Sequence, residues 1–456
     1  MYKIDELLKR VKRIHFIGIG GSGMCPLAEI LHSEGYKLSG SDNNESDTLA
    51  GIRSLGIPVT LGQKAENIEG AELIVYTAAI LPDNPELVAA QESGIPTVER
   101  ADLLGAVTRL YSDCYCVCGT HGKTTVSSML TQIMVQCNQD PSAVIGGELP
   151  LIHSHGRVGK SERMVCEACE FKDHFLKLAP DIAIILNVDA DHLEYFKNIE
   201  NIIKSFHTFA DMTSKAIIYN GDDANTLKAI EGISGKDMIS YGLDHQNDYY
   251  AKHIEIVNAF AQFVAYKNGV KIGKVKLRVP GEHNVYNALA AIAAADYCGI
   301  PLDEAISSLE QFSGSCRRFE FLDTVNGITF ADDYAHHPAE LRVTLEAAMQ
   351  MNYRKVWAVF QPFTYSRTKR LMDDFAEVLQ IPDECVMTEI MGSREVNTEG
   401  VYTAQLAEKI PGSVWFNTFD EVADYVLDHA QSGDLVITLG CGDIYKAAKI
   451  MIKRLK

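Results

Sequence analysis

Residues 114–130 read CYCVCGTHGKTTVSSML. An apolar strand, a glycine-rich turn and a helix follow one another, and Val126, Met129, Leu130, Ile133 and Met134 recur at helical spacing. The turn nearly spells the phosphate-cradling pattern G-x-x-x-x-G-K-[ST], with Gly122, Lys123 and Thr124 in place. Its first glycine should stand at position 117, which is Val117; the nearest is Gly119. Val117 therefore belongs to the strand, and the loop is shorter than the standard one. In this setting the turn's N–H groups and the helix N-terminus face a phosphate. Lys123 then reaches the β- and γ-phosphates of a nucleotide, and the Thr124 hydroxyl ligates Mg²⁺. The plainer alternative is a helix start with an incidental lysine.

If that loop holds a magnesium nucleotide, hard oxygen donors belong at the C-terminal ends of neighbouring strands. Glu167 and Glu170 end the apolar run "RMVCEACE", and Asp189, Asp191 and His192 follow "IAIILNV". From the residues alone, His192 reads as a cap or a supporting group, because magnesium prefers oxygen. The acidic residues read equally well as helix caps.

The same strand–turn–helix arrangement opens the chain. "RIHFI" (13–17) runs into "GIGGSG" with Gly18, Gly20 and Gly23 in G-x-G-x-x-G, and Asp42 ends the next strand 19 residues after Gly23. This predicts a pyrophosphate on a helix N-terminus and a carboxylate near a ribose. NAD and a UDP-sugar both meet that description. A tight turn with close helix packing is the alternative.

Strands alternate with helical stretches through three segments, which predicts doubly wound α/β sheets. The boundaries expected are 1–110, 111–315 and 316–456, with "QFSGSCRRFE" (311–320) as the second junction. In the third segment "DDYAHHPAE" (332–340) and "QPFTYSRTKR" (361–370) gather Asp, His and Arg, and Arg367 and Arg370 suit bidentate binding of carboxylate or phosphate. A solvated basic helix start is the alternative for the arginines.

The chain has 456 residues and a net charge of -19. That charge disfavours nucleic acid and anionic membrane surfaces as partners, but not small anions held at local sites. No apolar run approaches the roughly 20 residues of a membrane span. Eleven cysteines, an odd number, with a charged N-terminal stretch, suit a reduced, cytoplasmic protein. Cys114, Cys116 and Cys118 read as one buried face of a strand, and Cys166/Cys169 is a lone C-x-x-C rather than half of a zinc site.

Taken together, "IHFIGIGGSGM", "GTHGKTT", "GEHNVYNALAA", "RRFE", "DDYAHHPAE" and "SRT" resemble the motifs of the Mur ligase family in order and across essentially the whole chain. The resemblance implies a Rossmann-like first domain, a P-loop ATPase-like central domain and a Rossmann-like third domain. It implies an ADP-forming acid–amino-acid ligase that uses ATP and Mg²⁺, with UDP-N-acetylmuramate and L-alanine as the other substrates. Gly18, Gly20, Gly21, Ser22, Gly23, Ser41 and Asp42 would hold the UDP-sugar. Gly119, Thr120, His121, Gly122, Lys123, Thr124 and Thr125 would hold ATP with Asn284, Asn287 and Arg318. Thr124, Glu167 and His192 would ligate magnesium, which makes His192 a ligand against the reading from residue chemistry. Lys123, Glu167, His192, Arg318 and His337 would be catalytic, and Tyr334, His336, Arg367 and Arg394 would receive the amino acid.

Three positions depart from the family pattern. Cys169 replaces an Asp in the typical Glu-Ala-Asp-Glu, and Phe363 replaces a His. His207 stands where several sister ligases carry a carbamylated lysine, with Lys204 close by in sequence; no carbamate is expected. The competing expectations are a ligase of the same fold that adds a recycled peptide, an NAD-dependent dehydrogenase using GIGGSG, and a non-catalytic UDP-sugar sensor.

Overall fold

The computed structural model describes residues 4–78, 80–393, 395–398 and 400–456. Among these residues the chain forms three sheets. The first contains β1 (Arg13–Ile17), β2 (Lys37–Asp42), β3 (Val59–Leu61), β4 (Leu73–Tyr76) and β5 (Thr97–Glu99), in the order β3-β2-β1-β4-β5. All neighbours are parallel. The order reverses between β1 and β4, where a doubly wound sheet opens a crevice beyond its carboxyl ends. Gly18–Gly23 leaves β1 at that crevice, and the helix that follows (Cys25–Ser33) buries Leu27, Ala28 and Leu31, with Met24 buried just before it.

The second sheet contains β6 (Asp113–Cys118), β7 (Ser142–Leu149), β8 (Ser154–Arg157), β9 (Arg163–Glu167), β10 (Ile182–Ile185), β11 (Ala216–Asn220), β12 (Asp237–Gly242), β13 (Tyr249–Val257), β14 (Phe260–Lys267) and β15 (Val270–Pro280). Its order is β15-β14-β13-β12-β11-β10-β6-β9-β7-β8. β6 lies between β9 and β10 and is parallel to both. The three carboxyl ends therefore stand side by side. Residues 114–118 are buried on both faces, as a central parallel strand requires. Cys114, Cys116 and Cys118 share one core cluster, and all eleven cysteines are free thiols.

The third sheet contains β16 (Glu320–Val325), β17 (Ile328–Asp333), β18 (Val356–Phe360), β19 (Glu384–Thr388), β20 (Val414–Phe416) and β21 (Leu435–Leu439), in the order β16-β17-β21-β18-β19-β20. Only β16 is antiparallel to its neighbour. The architecture is thus three α/β domains, as the alternation of strands and helices predicts.

The chain separates into two compact units. One runs through Ile254 and adds Phe263–Val275 and Val285–Phe312; the other comprises Glu255–Gln262, Lys276–Asn284 and Ser313–Lys456. The first two domains share a unit because they share a core. Leu103, Leu104 and Val107, on the Arg100–Thr108 helix, bury with Phe175 and Leu178. A Cβ on Gly105 would meet the Lys177 carbonyl oxygen, so only glycine allows that approach. No helix of the described residues is long and apolar enough to cross a membrane.

Candidate active site

The loop after β6 is held open by two left-handed glycines, Gly119 (φ 146°) and Gly122 (φ 89°), the second serving as N-cap of the Lys123–Gln136 helix. Only glycine adopts such values without strain. The turn is stapled to the end of β10. Thr120 N–H donates to the Asn187 carbonyl at 3.0 Å, and His121 N–H donates to Asn187 Oδ1 at 2.8 Å. Asn187 Nδ2 returns a bond to the His121 carbonyl at 3.1 Å, and Asp189 N–H donates to Thr120 Oγ1 at 2.8 Å. Asn287 packs on the turn so closely that a Cβ on Gly122 would stand 2.7 Å from its Oδ1.

Thr124 meets Glu167 at the end of β9, and Lys123 meets Glu170 three residues beyond it. Lys123 Nζ lies 2.9 Å from Glu170 Oε2 and donates to the Gly119 carbonyl at 2.6 Å and the Thr120 carbonyl at 3.1 Å. Burial alone would lower the Lys123 pKa, but Glu170, with Cys169 and Glu167 adding to it, outweighs burial and raises it, so the ammonium stays charged. Thr124 Oγ1 donates to Glu167 Oε2 at 2.9 Å, and Gly146 N–H on β7 donates to the same oxygen at 2.8 Å. Cys169, between these acids, is a neutral thiol that burial pushes above its ordinary value.

His192 follows β10 in the left-handed region (φ 51°) at the N-cap of a short helix, Leu193–Phe196, and its side chain makes no cap bond. Its ring lies 4.9 Å from that of Phe171, and its Nε2 is 3.8 Å from Asp191 Oδ2. Among the described residues no three His, Cys, Asp or Glu side chains converge as a metal cage. His207 Nδ1 is 2.9 Å from the Ala229 carbonyl, while Lys204 lines a separate cavity of about 320 Å³ with Asp173 and Tyr195.

The first-domain turn is built differently. Gly18 and Ile19 N–H donate to the Ser41 carbonyl at 2.8 and 3.0 Å. Gly20 N–H donates to Asp42 Oδ2 at 3.0 Å, and Gly21 N–H to the Gly18 carbonyl at 3.2 Å. These amides are spent inside the turn, and Asp42 serves it rather than standing free. Ser41 Oγ donates to buried Glu86 at 2.7 Å, which also meets His15 Nε2 at 2.6 Å.

In the third domain Arg318 lies over the Tyr334 ring at 5.5 Å, and Tyr334 meets His336 edge-on at 5.6 Å. His336 Nδ1 faces the Tyr334 carbonyl at 3.1 Å and Glu340 Oε2 at 3.4 Å, and burial lowers its pKa. Arg367, whose charge reaches His336, buries its Nη1 with no hydrogen-bond partner among the described residues. A buried donor without an acceptor is costly and marks a place for an anion. Arg370 is exposed and fits the solvated helix start. His337 caps the Pro338–Met349 helix through Nδ1, which accepts from Ala339 N–H at 3.3 Å. Asn284 Nδ2 donates to the Pro280 carbonyl at 2.7 Å. Arg394 lies outside the described residues.

Residue patterns did not single out Asn187, Gly146 or the pairing of Glu170 with Lys123. Asn187 carried a signal in its position just beyond an apolar strand; Gly146 carried none.

Three family profiles cover the chain in sequence: the Mur ligase family catalytic domain over residues 13–112, the Mur ligase middle domain over 117–295, and the Mur ligase glutamate ligase domain over 317–442. UDP-N-acetylmuramate–L-alanine ligase of Caldanaerobacter subterraneus subsp. tengcongensis is 42% identical over 98% of this chain and 99% of its own. The enzyme of that name from Agathobacter rectalis is 43% identical over 100% of both chains. The crystal structure of UDP-N-acetylmuramate-alanine ligase MurC from Thermotoga maritima superposes with a TM-score of 0.84 at 28% identity, over 97% of this chain and 98% of that one. With three profiles in register and relatives matched end to end, the chain belongs to the Mur ligase family.

Proposed function

We infer that this chain is an ATP-dependent, ADP-forming ligase that joins L-alanine to the lactyl carboxylate of UDP-N-acetylmuramate, a step in making peptidoglycan precursor. The names of relatives matched over their full length support the substrates. The observation that carries the chemistry is the shortened loop, whose threonine touches the strand-end carboxylate of Glu167 and whose lysine touches Glu170 just beyond it. Residues 1–110, 111–315 and 316–456 are the UDP-sugar, ATP and amino-acid domains in this reading. Dependence on ATP and eleven free cysteines support a cytoplasmic setting.

A carboxylate is a poor acyl donor, because oxide would have to leave. Transfer of the γ-phosphoryl group forms a bond from phosphorus to a lactyl carboxylate oxygen and breaks the bond to ADP. Lys123 and Arg318 offset the charge on the transferred group. The amine of L-alanine then attacks the acyl carbon, the bond to phosphate breaks, and the amine gives up a proton. His336 suits that proton: two acceptors at Nδ1 hold its hydrogen there and leave Nε2 as a base. Arg367 takes the amino-acid carboxylate with its buried Nη1, which has no partner among the described residues. Tyr334 lines this face, and His337 fixes its loop through the helix cap.

Magnesium fits the donors present. It takes one or two carboxylates with substrate phosphates and water, not a full protein cage, and the contact between Thr124 Oγ1 and Glu167 supplies two hard oxygens. Thr124, Glu167 and His192 would hold the ion, which when bound neutralises phosphate oxygens. The decisive assay is ADP release with L-alanine, glycine, L-serine and a tripeptide offered in turn. Release that depends on UDP-N-acetylmuramate and prefers L-alanine supports the reading; preference for the tripeptide selects the peptide-adding alternative.

A further inference from the structure

In the third domain one carboxylate meets a histidine that two arginines also reach. Glu340 stands in the first turn of the Pro338–Met349 helix. Its Oε2 accepts from His336 N–H at 3.1 Å and from His337 N–H at 3.2 Å, and lies 3.4 Å from His336 Nδ1. The two backbone bonds belong to a helix cap, which Glu and Gln both make at this position. The contact with the ring is additional. The Tyr334 carbonyl, 3.1 Å from Nδ1, fixes the ring hydrogen there without help. What a carbonyl does not supply is a full negative charge.

Charge matters at this ring. Burial lowers the His336 pKa; Glu340 opposes that, while Arg367 and Arg318 add to it. Burial alone would raise the Glu340 pKa, but His336, the two N–H bonds and Arg318 outweigh it, so the carboxylate stays ionised. The neighbouring acids are committed elsewhere. Asp332 pairs with Arg317 Nε at 2.9 Å. Asp333 accepts from Phe319 and Ala335 N–H, each at 2.7 Å, and burial raises its pKa to about 6. Tyr334 and Cys441, which also face Glu340, are neutral groups that burial pushes above their ordinary values.

We propose that Glu340 is a positioning residue for amide formation, acting through His336: it offsets the positive charge that the ring acquires on taking the proton of the attacking amine. The proposal rests on reading His336 Nε2 as the acceptor of that proton. The proton moves from the amine nitrogen to Nε2, and the Nδ1 hydrogen stays in place. The imidazolium so formed carries its charge beside one carboxylate and within reach of two guanidiniums. Without the carboxylate, a cation would form against two cations.

The test uses the full chain with isotope-labelled histidine, titrated by nuclear magnetic resonance, the His336 signals being those lost in His336→Gln. Glu340→Gln keeps both cap bonds and removes the charge. The midpoint of its His336 titration falls by about one pH unit, and thermal melting stays where it was. Glu340→Asp holds the charge one methylene further back and shows about half of that fall. In turnover, the acid limb of the kcat profile moves down with the titration, while KM for L-alanine stays within about twofold of the wild-type value. An unmoved His336 titration in Glu340→Gln overturns the proposal and leaves Glu340 a helix cap. A raised KM for L-alanine with an unmoved titration overturns it too, by placing the carboxylate on the substrate ammonium. A titration that moves while the rate profile stays overturns it by another route, removing His336 as the base and leaving the ligase reading intact. Should Glu340→Gln fail to fold, Glu340→Asp carries the test, and an unmoved midpoint there overturns the proposal. A wild-type chain that releases no ADP with UDP-N-acetylmuramate and L-alanine is a different failure, that of the ligase reading, and the proposal falls with it.

Discussion

The two glycine turns, 18–23 and 119–124, share one backbone device and differ in what stands around it. Each leaves a central parallel strand and enters a helix. The first is closed mainly by its own backbone and one acid. Its amides bond to the Ser41 carbonyl and to Asp42, and its neighbouring acid helps shape the turn. The second is charged inside. Lys123 pairs with Glu170, and Thr124 and Gly146 converge on Glu167. A turn of this kind offers N–H groups to a phosphate wherever it occurs. Whether that phosphate is only held, or also transferred, depends on the groups that adjacent strand ends deliver.

Breaking the charged turn has the largest expected effect. Lys123→Ala lowers kcat by about a thousandfold or more, because a cation facing the transferred group is lost. UDP binding at the other turn is unaffected. ADP release dependent on UDP-N-acetylmuramate, followed in a coupled assay, checks this, and undiminished release sinks the assignment. Glu167→Gln comes next, with a loss of about a hundredfold and a higher magnesium concentration for half-maximal rate, since a hard anionic donor becomes neutral. A magnesium titration of ADP release measures it; an unchanged half-saturation point removes Glu167 from the metal site.

Smaller effects sharpen the contrast. A methyl group on Gly146 would stand 2.6 Å from Glu167 Oε2. Gly146→Ala therefore displaces that carboxylate, at a cost of about 1–3 kcal/mol and with a rate loss of about tenfold. Magnesium dependence moves with it, whereas thermal melting alone would move if the role were only packing. At the first turn, a Cβ on Gly20 would lie 2.9 Å from Asp42 Oδ2 and 2.8 Å from Leu49. Gly20→Ala weakens UDP binding by about fivefold to tenfold through the same kind of crowding, with ATP-analogue affinity unchanged. Loss of both affinities would show the two turns to be less separable than their surroundings indicate.

Much of this was legible in the residues. The strand–turn–helix passages at 13–31 and 114–134 announce themselves because glycine requirements and helical periodicity are local. The family motifs pointed to Glu167, and the structure brings it to Thr124 at the end of β9. Other features were hidden. Glu170 lies 47 residues from Lys123 in sequence, and Gly146 lies 21 from Glu167. Those meetings depend on β9 lying between β6 and β7, which nothing in a single strand specifies. The cap that His337 provides through Nδ1, and the closeness of Arg100 to Gly23, carry no mark in the residue pattern.

The sequence by itself determined the class of fold, the two glycine turns between strand and helix, and the membership of the family, because each rests on local backbone preference or on an ordered set of motifs. Only the tertiary structure decided which carboxylate meets Lys123 and, among the described residues, which turn amides lack an acceptor and which arginine buries a nitrogen with no partner. Those outcomes follow from strand order and from close packing. Both bring together residues far apart in the chain, and both are set by the burial of whole sheets rather than by any residue's own preference.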